Sequence, residues 1–204
     1  MTPDNSPAPF MPQFVDGEIL TQLATLNSRG LQVLCEAPGL DWPLAAEARA
    51  TLDGAVLKRM ADAPYLLFEI DVEAALGGGA GVVTRRSPSV ADATPHYSIW
   101  SDTTGRVFAA AMLQFAWHVA RTRPAAAPLV LGLPAEACAA LRVGEFRGLD
   151  WVAAHAARWV ALRWAYDLAH WAQRLRAAAA GDLRALRSNT LAGLQRLAGR
   201  GLRR

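Results

Sequence analysis

A chain of 204 residues is long enough to bury a core, and 52% hydrophobic with 19% charged residues excludes wholesale disorder. No apolar run approaches the roughly 20 residues needed to cross a bilayer. The opening MTPDNSPAPFMPQF lacks the cationic and apolar regions of a secretory signal, so a cytoplasmic protein without a membrane role is expected.

The first predicted helix starts on Asp16 as its cap and runs to about Ala37, with Ile19, Leu20, Leu23, Leu26, Leu31 and Leu34 as its apolar stripe. Residues 1–15 are expected as a Pro-rich disordered tail before it. A second helix follows Asp41 and Pro43, carries Leu44, Ala48, Leu52, Val56 and Met60, and stops at Pro64. Together they predict an antiparallel helical hairpin. The period then changes. Tyr65 to Val72 ends in alternating apolar and acidic residues, which reads as a short strand or as an extended linker packed on the helices. This hairpin and extended segment occupy 16–76, and the Gly-, Ser-, Thr- and Pro-rich stretch 77–105 is expected as a long loop.

From Arg106 the helical period returns with Phe108, Met112, Phe115 and Val119. Pro124 and Pro128 bracket a short turn or helix ending at Leu131-Gly132, and Pro134 opens another helix to about Val143. A further helix is expected from Gly144, containing Leu149, Val152 and His155. Residues 158–180 continue helical to Gly181, and Asp182 caps a last helix with Leu183, Leu186, Leu191, Leu194 and Leu197. The predicted fold is all-α: a multi-helix bundle over 106–204 joined to the hairpin, in one domain spanning 16–204.

Charge is unevenly divided along this bundle. Residues 151–204 hold ten arginines against Asp167 and Asp182, a net of +8, while residues 1–150 hold 11 basic and 16 acidic groups, a net of −5. Such polarity points to an anionic partner: nucleic acid, a membrane surface or an acidic protein. The alternative is a solvated arginine-rich face set by genomic composition, since the chain has 20 arginines and one lysine.

Motifs for catalysis are sparse. His96, His118, His155 and His170 form no metal-ligand pattern, and His118, His155 and His170 read as helix-surface or core residues. Cys35 and Cys138 read as small apolar residues on helices rather than a disulfide or a zinc site. Gly77-Gly78-Gly79-Ala80-Gly81 lacks the Lys-Ser/Thr of a phosphate loop and reads as a linker. Arg85-Arg86-Ser87-Pro88-Ser89 is a candidate phosphorylation or contact site in the loop. No catalytic residue, cofactor or metal is therefore expected. Glu69, Asp71 and Glu73 share one side of the extended segment, either as a solvated face or as an acidic edge for the basic end of the same chain.

Trp151, Trp159, Trp164 and Trp171 lie among arginines, a combination that suits interfaces and base stacking; otherwise they fill seams between Ala-faced helices. The segment Leu129 to Leu141 has the form of a helix-turn-helix corner at Gly132. With Phe115-Ala116-Trp117-His118-Val119-Ala120 before it, and Leu149, Val152, Ala153 and Val160-Ala161-Leu162-Arg163-Trp164 after it, residues 108–164 resemble the FlhD-type subunit of the flagellar master transcriptional regulator. That resemblance implies a regulator that binds promoter DNA with a partner subunit in a hetero-oligomer. The charge pattern nominates Arg158, Arg163, Arg174, Arg176, Arg184 and Arg187 as contacts to DNA or an acidic partner. The competing expectation is a helical adaptor, homo- or hetero-oligomeric, with no nucleic-acid role.

Overall fold

The computed structural model describes residues 16–36, 44–70, 103–143 and 160–201. The tail at 1–15, most of the 77–105 loop, the helix expected from Gly144, and the candidates Trp151, Arg158 and Trp159 lie outside the described residues. Among the described residues are eight helices and two short strands, a mainly α fold.

Helix α1 (Gly17–Glu36) begins where its cap predicts, with the Asp16 carboxylate accepting from the Ile19 amide at 3.0 Å. The single helix expected next is two, α2 (Ala45–Thr51) and α3 (Gly54–Ala61). The break falls at Asp53, whose backbone is extended and whose carboxylate accepts from the Val56 amide at 2.7 Å. Aspartate caps a helix better than it continues one, so it starts a new helix within an unbroken apolar stripe.

The extended segment is strand β1 (Phe68–Ile70), and its partner is β2 (Val160–Leu162), antiparallel with Phe68 opposite Leu162 and Ile70 opposite Val160. This corrects the helix expected through 158–180: residues 160–162 are strand, 163–166 a turn, and α-helix begins only at Leu168. The physical reason is twofold. Val160 and Leu162 bury alternate side chains in the core, and Asp167 caps the next helix by accepting from the His170 amide at 3.0 Å.

Helix α4 (Thr103–Thr122) starts inside the expected loop and buries Phe108, Met112, Phe115 and Val119 as predicted. Helices α5 (Ala127–Leu131) and α6 (Ala135–Val143) flank Gly132, which sits at φ 60°. Helix α7 (Leu168–Ala180) ends at Gly181, and α8 (Leu183–Gly201) is capped by the Asp182 carboxylate, which accepts from the Arg184 and Ala185 amides. Of the leucines expected in the α8 core stripe, Leu186 and Leu197 are buried and Leu194 half-buried, but Leu183 and Leu191 are exposed.

Packing runs in series from α6 to α4, α1, α3, α7 and α8, and α5 touches α4, α6 and α8 to close it. At the centre, a Cβ on Gly30 would strike the rings of Phe68 and Phe108, which meet edge to face at 5.2 Å. The bare backbone at Gly30 lets α1 lie directly on this aromatic pair. Asn27, fully buried three residues earlier, donates to Ala61 O and Tyr65 O and accepts from the Leu67 amide. It thereby fastens the link between α3 and β1 to α1.

Candidate functional site

Two arginines turn inward where the strands, the Gly132 corner, α7 and α8 converge. Arg163 follows β2 directly and is 0% exposed. Its Nε donates to Leu66 O at 3.0 Å, and Nη2 donates to Phe68 O and Leu131 O, each at 3.0 Å. Nη1 reaches Gly132 O at 3.3 Å and the Glu69 carboxylate at 3.5 Å. One guanidinium thus ties β1 to the Gly132 corner through a fan of carbonyls. A Cβ at Gly132 would lie 2.6 Å from the guanidinium carbon, so both the positive φ and the arginine require glycine there. Glu69 does meet an arginine of the basic end, while Asp71 and Glu73 lie outside the described residues.

Arg174, also 0% exposed, does the same work from about two turns into α7. Its Nε donates to Met60 O at 2.9 Å and Nη2 to Asp62 O at 3.2 Å, while Nη1 reaches Asn189 Oδ1 and Thr190 Oγ1, both at 3.2 Å. All four acceptors are neutral. Burial pulls this guanidinium below the usual arginine range, with Tyr65 and Asp62 opposing.

Asn189 connects Arg174 to His170. Its amide donates to His170 O at 3.0 Å and lies 3.2 Å from His170 Nδ1. An amide N–H only donates, so Nδ1 accepts and the ring proton is assigned to Nε2, which is buried without a hydrogen-bond partner. Burial, reinforced by Arg174 and Arg196 and opposed by Asp167, pushes His170 down to about 4. The ring stands edge-on to Trp164 at 5.2 Å and to Trp171 at 5.7 Å.

Trp164 occupies the apex of the 163–166 turn at φ 53°, a backbone region that non-glycine residues rarely adopt. Tyr65 packs against its edge at 5.9 Å, and Arg196 covers its face at 5.5 Å while pairing with Asp167 at 2.6 Å. Tyr65 has its hydroxyl buried and unpartnered, and burial raises its pKa against the pull of Arg174, Arg163 and Arg196.

Of the expected contact residues, then, two are not on the surface. Arg163 and Arg174 are internal cross-links, and the expectation that they meet a partner is corrected on their burial alone. The same holds for Trp171, fully buried with its Nε1 donating to Arg163 O at 3.0 Å; it fills a seam. Trp164 is half-buried in the cluster. Arg176, Arg184 and Arg187 are exposed. Arg184 and Arg187 follow the Gly181 turn, in the first two turns of α8. Sequence reading missed Tyr65, Asn27 and Asn189. The two asparagines did carry a signal, each standing at helical spacing from buried leucines.

The cluster holds chain segments together, and burial pushes His170 down to about 4 and raises Tyr65. Elsewhere, on α6, burial lifts the Cys138 thiol to about 11. Among the described residues no group of three or more His, Cys, Asp or Glu side chains converges, and no helix is long and apolar enough to cross a membrane. No family model, curated protein or solved structure matches this chain.

Proposed function

We propose that the chain is a non-enzymatic helical protein that acts by docking to a protein partner, in a regulatory or assembly role. The observation that carries this reading is the division of its arginines. Arg163 and Arg174 satisfy internal carbonyls, whereas Arg184 and Arg187 face solvent on the same helix as exposed Leu183 and Leu191. Mixed arginine and leucine surface suits a protein partner better than phosphate alone. The corner at Gly132 adds to the argument. Its second helix, α6, presents Glu136, Ala139, Ala140 and Arg142 to solvent, a poor set of donors for reading base edges.

A second reading, a transcriptional regulator subunit that binds DNA with a partner, draws on the exposed Arg176, Arg184 and Arg187 and on the helix-turn-helix form of α5 and α6. Affinity purification of the full chain, washed with nuclease and then with high salt, separates the two. A protein complex that survives both is the expected result. Binding only to duplex DNA, with affinity falling steeply between 50 and 200 mM salt as about an order of magnitude or more per several phosphate contacts, would replace the first reading by the second.

A further inference from the structure

Helix α8 is held to the body along one side by Leu186, Asn189, Gly193 and Leu197, all buried. At 3.6 residues per turn, Leu183, Arg184, Arg187, Leu191 and the half-buried Leu194 fall within an arc of about 100° on one outer flank. Leu183 is 58% exposed and Leu191 59% exposed. Arg196 lies on the other flank, engaged with Asp167 and Trp164. From Leu183 to the last residue the sequence contains no Asp or Glu. Asp182, the residue just before Leu183, has a carboxylate oxygen committed to the Arg184 and Ala185 amides.

We propose that this flank of α8 is the docking surface, and that its occupant is an acidic amphipathic helix of a protein partner. The inference rests on the protein-docking reading and names its surface and the chemistry of the partner. Charge complementarity selects the occupant: arginines at 184 and 187 with no carboxylate among them call for Glu or Asp opposite. The leucines then discriminate among anionic partners. A phosphate backbone would use the arginines and leave Leu183 and Leu191 in water, whereas a helix with leucines on one face and acids beside them covers both. The strip is one helix wide and, from Leu183 to Leu194, about 17 Å long at 1.5 Å per residue, which is roughly three turns of a partner helix.

The test uses the full chain and a synthetic fluorescent helical peptide with leucines on one face and flanking glutamates. Comparison ligands are the same peptide with Gln for Glu, a 20-base-pair DNA duplex, and vesicles containing 30% phosphatidylserine. Anisotropy titration is expected to show the Glu peptide binding at least tenfold more tightly than the Gln peptide. Leu191→Glu and Arg187→Glu are each expected to weaken it tenfold or more, while Arg29→Glu, at an exposed position on α1, leaves it unchanged. Circular dichroism of each variant establishes that the fold is kept. A peptide with Lys for Glu binding the Arg184→Glu/Arg187→Glu double variant would add support through charge reversal.

Failure of the Glu peptide to bind overturns the proposal, as does binding that Leu191→Glu leaves intact. Tighter binding to the duplex or vesicles would assign the surface to phosphate or lipid instead. Self-association abolished by Leu191→Glu would assign it to a second copy. A salt- and nuclease-resistant complex that ignores Leu191→Glu and Arg187→Glu would leave the docking reading standing and move it to another face.

Discussion

Asn189 is one side chain through which two helices and a buried cation are joined. It accepts from Arg174 and donates to the backbone of His170. Replacing it with leucine removes one of four acceptors from Arg174 and the amide facing His170 Nδ1, and a stability loss of about 1–3 kcal/mol is expected from urea denaturation midpoints. His170 supplies a pH dependence with a defined sign. Its folded value of about 4 lies below its ordinary 6.5. Between those values the unfolded chain binds the extra proton, so stability is full above about pH 6.5 and is lost as pH falls toward 4. The loss reaches on the order of 3 kcal/mol. Denaturation of the wild type and His170→Gln across this range is expected to show a shallower slope for the variant; equal slopes would contradict the assignment. Tyr65 behaves oppositely to Asn189. Its hydroxyl is buried without a partner, so Tyr65→Phe is expected to be neutral or stabilising by up to about 1 kcal/mol.

Between elements, α8 approaches Tyr65 closely at Gly193. A Cβ at Gly193 would collide with the Tyr65 hydroxyl and lie 3.2 Å from the Trp164 ring. Gly193→Ala is therefore expected to destabilise by about 1–3 kcal/mol despite its better helix propensity. Combining it with Tyr65→Phe should recover part of that loss, measured as a double-mutant cycle. Elements with their own start and stop signals were legible in the sequence: Asp16, Asp182, Gly132 and Gly181 mark ends that the fold uses. Elements defined by distant partners were not. The break at Asp53 is masked by Leu52, Val56 and Met60, which keep the helical period across it. Strand β2 depends on pairing with β1, some ninety residues earlier, and nothing within Val160-Ala161-Leu162 distinguishes it from the Ala- and Trp-rich helix that follows.

Across the whole molecule, composition revealed the excess of arginine but not where each arginine goes. The helical period carried part of the answer. Arg174 stands three residues after Trp171 and four before Ala178, on the buried face of α7, so its inward position was readable from spacing. Arg163 was not readable, because its role depends on the carbonyls of Leu66, Phe68, Leu131 and Gly132, brought together only by the fold. This division is the central claim: Arg163 and Arg174 serve the interior, and Arg184 and Arg187 stand in solvent on the flank proposed to dock a partner. It is tested most directly by labelling the native full chain with phenylglyoxal and following each arginine by peptide mass spectrometry. The expected result is rapid modification at Arg176, Arg184 and Arg187, with Arg163 and Arg174 protected until denaturant unfolds the chain. Labelling of Arg163 or Arg174 at the rate of Arg187 under native conditions would contradict it.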